Sequence, residues 1–300
     1  MPFLTVSFDL GALSAETAEA VCFAAGAMSV TLSDAHDDAV LEPAPGEVRL
    51  WPATRMQALF AAEIDAAALI ASLTAMLGIP TIEAHLLEDR PWEREWLKDY
   101  HAVRCGRRLW VSPHHERIED PDAIVVRLDP GLAFGTGTHP TTALCLSWLD
   151  ARLAAETRVI DYGCGSGILG IAAARLGAAQ VWCFDIDPQA LTAARENALA
   201  NEVATRVSVC ASASELPGAA DVLLANILAG PLRELASRFA GLVRVGGRIV
   251  LAGLLEAQAL EVTAAYDTWF DMSRFASREE WVVLEGSRRH DRAPLTRASS

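Results

Sequence analysis

Several features that would define the class of this chain at once are missing from its sequence. The 300 residues contain no apolar run near the roughly 20 residues that a membrane-spanning helix needs. The N-terminal stretch 1–16 lacks the basic start of a secretory signal peptide. None of the six cysteines forms a C-x-x-C pair, which disfavours both a zinc site and a disulfide framework. These absences indicate a soluble, cytoplasmic protein with reduced, buried thiols.

Basic residues are also scarce, and they are unevenly distributed. Lysine and arginine number 25 against 39 acidic residues, which gives a net charge of −14. Residues 1–90 hold thirteen acids and three bases, a net charge of −10. Because phosphate binding needs clustered basic residues, nucleic acid is not expected as a direct partner. The acidic segment either keeps the protein soluble or docks a basic partner, and charge alone leaves both interpretations open.

Apolar residues make up 52% of the chain and charged residues 21%, as in a folded protein of one or two domains. Within residues 1–90 the apolar pattern predicts alternating strands and helices. Ser14 is placed to cap the first helix and Gly78 to end the second. The predicted order is β-α-β-β-α-β, which is the ferredoxin-like pattern. Strands are predicted over 2–10, 28–34, 46–52 and about 81–88, and helices over 14–27 and 64–77.

The composition changes after residue 90. Segment 91–107 is rich in tryptophan and charge, and Trp92 and Trp96 share one helical face. We interpret it as a helical linker whose indoles pack on a domain, in preference to an aromatic ligand stack. Over 108–290 strands alternate with helices, as in a parallel α/β sheet, and residues 291–300 form a predicted flexible tail.

The strands of this second domain are predicted at 123–128, 158–162, 180–186, 207–211, 221–227, 247–254, 270–277 and 280–286. The last two lack a helix between them, so they should pair antiparallel. The helices are predicted at 140–153, 167–177, 188–201, 229–242 and 256–266.

A glycine-rich turn marks the predicted ligand site. A strand ending at Asp161 leads into Gly163, Gly165 and Gly167 and then into an alanine-rich helix. Glycines at such a turn let the backbone approach a ligand, and the helix start offers free N–H groups. Together with Gly170 they also satisfy the dinucleotide pattern G-x-G-x-x-G, so NAD is a candidate cofactor.

Acidic residues bear on the choice of cofactor. Asp161 comes just ahead of the glycine turn, where its charge would oppose a pyrophosphate but suit the ammonium group of a methionine moiety. Asp185 ends the next strand, where a carboxylate can bind both ribose hydroxyls of an adenosine. Asp187 is better placed to cap the helix that starts at Pro188. The sequence therefore favours S-adenosylmethionine over NAD.

Few other polar side chains are candidates for a role in the reaction. Asn226 ends the strand 221–227, where its amide oxygen can accept a hydrogen bond from a substrate amine; the alternative is a helix cap. His139 is interpreted as a residue that fixes its loop, with a catalytic proton acceptor as the less favoured alternative. His114 and His115 lack partners at metal-ligand spacing, so no metal site is predicted.

Four segments, in this order and spacing, resemble the ribosomal protein L11 methyltransferase family of bacteria: DPGLAFGTGTHPTT, DYGCGSGILGIAA, FDIDPQA and NILAGPLREL. The resemblance extends over nearly the whole chain, including PWEREW. It implies a ferredoxin-like domain that recognises the ribosomal protein, a helical linker and a Rossmann-like, seven-stranded class-I methyltransferase domain. It also implies that Thr142, Gly163, Asp185 and Asn226 contact S-adenosylmethionine, and Gly165 of the same turn is predicted with them.

The expected reaction is methyl transfer to amines of a basic ribosomal protein. After Asn226 the chain lacks the Asn-Pro-Pro-aromatic segment of many amide methyltransferases, which suits an amine substrate. The resemblance implies trimethylation of the N-terminal α-amine and of lysines of ribosomal protein L11. We expect a monomer with no membrane partner and no dedicated general base. The alternatives are a methyltransferase for RNA, a small molecule or another protein, an NAD-dependent oxidoreductase, and a non-catalytic cofactor-binding chaperone of ribosome assembly.

Overall fold

The computed structural model describes residues 2–36, 51–87, 101–129 and 139–290. The chain divides into two compact units, Met1–Glu95 and Trp96–Ser300. The paired indoles of the predicted linker, segment 130–138 of the Gly/Thr loop and the predicted tail 291–300 lie outside the described residues.

The first unit is a four-stranded antiparallel sheet with two helices. Its elements are β1 (Phe3–Asp9), α1 (Ala15–Ala24), β2 (Ser29–Asp34), β3 (Thr54–Ala61), α2 (Ala66–Leu77) and β4 (Glu83–Leu87). The strands lie in the order β2-β3-β1-β4, and each neighbouring pair is antiparallel. This order and connectivity confirm the predicted ferredoxin-like fold.

Capping residues set the ends of both helices in this unit. The Ser14 side chain accepts a hydrogen bond from the Thr17 amide at 3.3 Å and starts α1. Asp65, which the sequence interpretation did not single out, caps α2 through two backbone amides. Gly78 ends α2 with a φ of +69°, in the left-handed region that glycine adopts most easily.

The third strand of the first unit requires a correction. The last two residues of the predicted strand 46–52 precede β3, which begins at Thr54; the earlier ones lie outside the described residues. In β3 the alternate residues Met56, Ala58 and Phe60 are fully buried. Small alanines weaken the apolar contrast along this strand, so its period of two residues is hard to see in the sequence.

The second unit begins with a small separate sheet. β5 (Val103–Arg104) pairs antiparallel with β6 (Leu109–Ser112), which pairs parallel with β7 (Ile124–Arg127). The predicted helical linker 91–107 is therefore wrong in its described part, where strand pairing competes with helix formation. The predicted strand 123–128 exists, but it belongs to this sheet and not to the main one.

The main sheet of the second unit has seven strands. Its elements are α3 (Pro140–Arg152), β8 (Arg158–Tyr162), α4 (Ile168–Arg175), β9 (Gln180–Phe184), α5 (Pro188–Ala200), β10 (Val207–Cys210), β11 (Ala220–Asn226), α6 (Ala229–Glu234), α7 (Ala236–Leu242), β12 (Val243–Leu255), α8 (Ala259–Tyr266), β13 (Phe270–Arg278) and β14 (Trp281–Arg288). The strand order is β10-β9-β8-β11-β12-β14-β13. The first five strands are parallel, and β14 is antiparallel to β12 and β13, which confirms the predicted fold class and the antiparallel closing pair.

Apolar clusters on the two faces of the main sheet form its core. Residues of α3, α4 and α5 contribute to one cluster, and residues of α6, α7 and α8 contribute to the other. The predicted helix 229–242 is in fact two helices, α6 and α7, that meet at Leu235. Because the strand order reverses between β8 and β11, the carboxyl ends of these strands form the crevice where open α/β sheets bind ligands.

A buried polar contact fixes helix α3 to strands β12 and β14 of the main sheet. The Trp148 indole is 1% exposed and donates to Glu285 in β14 at 2.8 Å. Arg248 of β12 also bonds to that carboxylate, whose side chain is 13% exposed. The contact joins α3, β12 and β14 in one body.

All six cysteines are described, buried and carry free thiols, as predicted. Within the described ranges, no helix combines the length and the apolar character that crossing a bilayer requires.

Candidate active site

A cavity of about 760 Å³ lies at the carboxyl ends of the main-sheet strands. Two of its lining residues, Asp185 and Glu234, are acidic, and among the described residues that line it there is no lysine or arginine. Most of the remaining wall is apolar or aromatic. Such a cavity favours a ligand with an apolar body and positive charge.

The glycine turn forms one wall of the cavity. Gly163 has a φ of +76°, and a Cβ atom there would lie 2.3 Å from Cγ2 of Ile227, so only glycine fits. The amides of Gly163 and Cys164 both donate to the Phe184 carbonyl, at 2.8 and 3.0 Å. These bonds join the turn after β8 to the end of β9, so a ligand in the cavity meets bare backbone at this point.

Asp185 lies at the end of β9 and lines the cavity, as its sequence position predicted. One carboxylate oxygen accepts from the Gly165 amide at 2.8 Å, and the other accepts from the Asp187 amide at 3.0 Å. Asp187 itself caps α5 by accepting from Gln189 at 2.9 Å, which confirms its predicted role. The Asp185 carboxylate is therefore held by backbone donors in a fixed orientation.

Asp161 occupies a different environment from the one expected. It does not line the cavity; it is fully buried, and its Oδ2 accepts from the Gly170 amide at 2.8 Å. Its Oδ1 has no hydrogen-bond partner among the described residues. Burial, with a smaller contribution from the nearby Asp185 carboxylate, raises the pKa of Asp161 to about 7, although the Gly170 bond acts to lower it. The expected contact with a ligand ammonium group is wrong, and Asp161 supports the turn from beneath.

Asn226 and Thr142 meet at the opposite wall. Asn226 lines the cavity at the end of β11, and its Nδ2 donates to Oγ1 of Thr142 at 3.3 Å. Thr142 is 1% exposed and does not line the cavity, and among the described residues this hydrogen bond connects it to the site. The alternative of a helix cap is wrong, since Leu228 occupies the cap position of α6. With Nδ2 bonded to Thr142, the amide oxygen of Asn226 points away from that threonine.

His139 is the cap of α3 and lines the cavity. Its Nδ1 accepts from the Thr141 amide at 3.3 Å and lies 2.8 Å from the Thr141 hydroxyl. Burial lowers the pKa of the imidazole, and nearby Glu279 opposes this effect. These contacts support the interpretation of His139 as a residue that fixes its loop. His114 lies outside the cavity lining, where it pairs with Asp129 at 3.1 Å.

Several lining residues were not singled out in the sequence. Tyr162, Phe184 and Trp281 give the cavity aromatic walls, and Ile186 is 89% exposed beside Asp185. An exposed isoleucine between two acids is a usable signal for a ligand-contacting residue, because apolar side chains of this size are usually buried. Trp281 lies about a hundred residues beyond the glycine turn, and nothing local in the sequence marks it.

Comparison with known proteins identifies the family. A family model described as ribosomal protein L11 methyltransferase (PrmA) matches residues 2–289. A protein of that name from Pseudomonas aeruginosa (strain LESB58) is 49% identical over 294 residues, covering 97% of this chain and 100% of its own length. Another from Cellvibrio japonicus (strain Ueda107) is 48% identical over 287 residues, covering 95% and 98%.

A solved structure agrees with these matches. The crystal structure of a ribosomal protein L11 methylase from Lactobacillus delbrueckii subsp. bulgaricus is 32% identical, with a TM-score of 0.59 over 64% of this chain and 100% of its own. The seven-stranded sheet with its cavity at the strand ends is the class-I methyltransferase fold, and use of S-adenosylmethionine follows from that fold and family. The chain belongs to the ribosomal protein L11 methyltransferase family.

Proposed function

We propose that this chain is an S-adenosylmethionine-dependent protein N-methyltransferase whose substrate is ribosomal protein L11. The observation that carries the proposal is the match over residues 2–289 with a family of that name, together with a cavity at the position where class-I methyltransferases bind their cofactor. The finer part of the proposal is that the N-terminal α-amine and lysine ε-amines are both carried to the trimethyl state.

The described residues fit S-adenosylmethionine. A Cβ atom at Gly163 would clash with Cγ2 of Ile227 at 2.3 Å, so this position takes glycine, and its backbone lines the cavity. We assign the ribose hydroxyls to Asp185, the backbone approach to Gly163 and Gly165, and the part near the reacting group to Asn226. Thr142 belongs to this set through its bond to Asn226. When bound, the cofactor supplies a methyl group activated by a sulfonium.

The residues of the chain orient the amine and keep it neutral. The α-amine pKa is near 8 and the lysine pKa near 10.4, so either amine must lose a proton before it can attack. Apolar walls lower both values because they disfavour the ammonium form. The Asn226 oxygen, turned away from Thr142, accepts an N–H of the neutral amine and so directs its lone pair. The proton leaves to solvent, and no side chain of the chain is assigned as a general base.

We assign substrate recognition to residues 1–90, connection to 91–107 and methyl transfer to 108–290, with 291–300 as a tail. The net charge of −10 on residues 1–90 suits a basic protein and opposes direct binding of nucleic acid. We further propose that the enzyme acts as a cytoplasmic monomer without a membrane partner.

The test is the intact mass of purified ribosomal protein L11 after incubation with the enzyme and S-adenosylmethionine, followed by peptide mapping. We expect the mass to rise in whole methyl steps up to trimethylated sites. Asp185→Ala should abolish the rise and weaken cofactor binding about 100-fold, because a charged hydrogen-bond partner of the ribose is lost. The control is Asp187→Ala, an acid two positions away that caps α5 outside the cavity lining.

Two outcomes would contradict the proposal, one from cofactor binding by the two variants and one from the mass of L11. Equal loss of cofactor binding in Asp185→Ala and Asp187→Ala would refute the assignment of Asp185. An L11 mass that never changes, in the presence of bound cofactor, would leave a methyltransferase for another protein or a small amine. Automethylation is simple to monitor, because the chain holds a single lysine, Lys98.

A further inference from the structure

The end of β9 holds the first half of the glycine turn. The amides of Gly163 and Cys164 donate to the Phe184 carbonyl. The amide of Gly165 donates to the Asp185 carboxylate. These three bonds fix the turn as far as Gly165, and the rest of it is held by other contacts.

The second half of the turn is a single peptide group, the one between Ser166 and Gly167, and each end of it makes a hydrogen bond. The Gly167 amide donates to the Cys164 carbonyl at 2.8 Å. The Ser166 carbonyl accepts from Nδ2 of Asn197 at 2.9 Å, a partner 31 residues further along the chain. Because Gly167 has a φ of +79° and glycine restricts its backbone little, these bonds set the orientation of the peptide plane.

Helix α5 packs directly against this peptide group. A Cβ atom at Gly167 would lie 3.0 Å from Cβ and 3.2 Å from Cα of Ala194. Ala194 and Asn197 are three residues apart, so they share one face of the helix. That face gives the turn both a close packing contact and a hydrogen-bond donor. The same helix begins at its cap Asp187, two residues after Asp185.

We propose that Asn197 is a positioning residue for the cofactor, which holds the peptide between Ser166 and Gly167 so that the turn keeps its shape. Asn197 does not line the cavity, so it acts through the turn and not by touching the cofactor. Without Nδ2 the Ser166 carbonyl loses a donor, and the peptide can rotate to bond to solvent instead. The inference rests on the cofactor of the proposed function and is independent of its substrate.

Asn201 provides a matched comparison, because it is the same residue type at the end of the same helix. It is 3% exposed, and its amide group bonds both to the N–H and to the carbonyl of Arg127, each at 2.7 Å. Arg127 is the last residue of β7 and does not line the cavity. A general loss of α5 packing should therefore appear in Asn201→Leu as well as in Asn197→Leu, whereas a loss of turn geometry should appear in Asn197→Leu alone.

The first test is a calorimetric titration of the full-length enzyme with S-adenosylhomocysteine. We expect Asn197→Leu to lower the affinity about tenfold, because one hydrogen bond that shapes the turn is lost. Asn197→Gln keeps the donor on a longer side chain and should recover part of the loss. Asn201→Leu should lower the urea midpoint at least as much and leave the affinity within about twofold of the wild type. Asn197→Asp, which has the same size but no donor when ionised, replaces the leucine variant if that variant folds poorly.

Methyl transfer to L11 gives a second measurement. The turn is assigned to the cofactor and not to the reacting amine, so its displacement should weaken the ground state and the transition state equally. In Asn197→Leu the KM for S-adenosylmethionine should therefore rise about tenfold, while kcat at saturating cofactor stays within about twofold of the wild type.

The outcomes separate this inference from the proposed function. An unchanged affinity in the Asn197 variants would overturn it. Equal losses of affinity in Asn197→Leu and Asn201→Leu would also overturn it, because the effect would then come from helix packing. So would a lower kcat with an unchanged KM. An affinity that depends on Asn197, in an enzyme that leaves L11 unmodified, would support the positioning role and refute the substrate. A wild type that does not bind S-adenosylhomocysteine would refute the cofactor and this inference together.

Discussion

The two ends of the cavity are built in different ways. The Asp185 end comes from one stretch of chain, 161–187, and backbone amides fix its carboxylate. The Trp281 end joins α3, the turn after β11, and strands β12 and β14, and side chains hold it together. A ligand shared by many enzymes can therefore be bound by a short local turn. The geometry of the other end depends on how distant segments pack.

The largest expected effect is a pH-dependent loss of folding stability that Asp161 causes at the Asp185 end. Because burial raises the pKa of Asp161 to about 7 in the folded chain, the folded state keeps a proton that the unfolded state loses near pH 4. The free energy of unfolding should therefore fall between about pH 4 and pH 7. At 1.36 kcal/mol per pKa unit, the contribution is up to about 4 kcal/mol.

The measurement is urea unfolding of Asp161→Asn and the wild type from pH 4 to pH 8. The variant should gain stability relative to the wild type as the pH rises. Asp187→Asn is the matched control, since asparagine caps a helix as well as aspartate does. A difference between Asp161→Asn and the wild type that stays constant with pH would contradict the buried, proton-holding state.

The second effect tests the close packing of Gly253 in β12 against the backbone of Ile227, at the other end. In Gly253→Ala the new Cβ atom would meet the Ile227 carbonyl at 2.4 Å, at a φ of +82° that alanine rarely adopts. Strain and overpacking should together lower the free energy of unfolding by about 3 kcal/mol. Urea unfolding checks this value against Gly218→Ala, where a Cβ atom would meet nothing within 4 Å. Equal stability of the two variants would show that the backbone at Ile227 can move away from β12 at little cost.

The third effect tests the boundary between the two ends. Asn226→Ala should lower turnover about 100-fold, because the amine loses the acceptor that orients it. Cofactor affinity should change less than about threefold, in contrast to Asp185→Ala. The measurements are kcat for methyl transfer and a separate titration with S-adenosylmethionine. Turnover close to that of the wild type would refute the orienting role of Asn226.

Sequence reasoning succeeded where the physical cause is local. Ser14, Gly78 and Asp187 end or start helices through bonds to residues a few positions away, and each lies where it was predicted. Asp185 was found because a strand end and a glycine turn lie close together in the chain. The side chain of Asp161 was misplaced because a strand residue can face either side of its sheet, and here it faces α4.

The predictions failed or were silent where distant segments decide the outcome. At the end of the expected linker helix the chain forms β5, which belongs to the small sheet of β5, β6 and β7. Strand pairing is a tertiary interaction, so the local sequence does not reveal it. Trp281 enters the cavity only because β14 inserts between β12 and β13. Thr142 was assigned to the cofactor, but in the fold it is buried and bonded to Asn226, a partner 84 residues away.

The bond between Trp148 and Glu285 has a consequence for how new specificities could arise in this family. It couples the position of α3 to that of the β13–β14 hairpin. An insertion inside either element would therefore shift both walls of the cavity. The hairpin turn at Glu279 and Glu280 escapes that constraint, because it lies beyond the last paired residues of the two strands. Changes of length there would alter the approach to Trp281 while the cofactor end stays intact. Among the described residues, this turn is therefore a short segment whose length can vary beside the cavity.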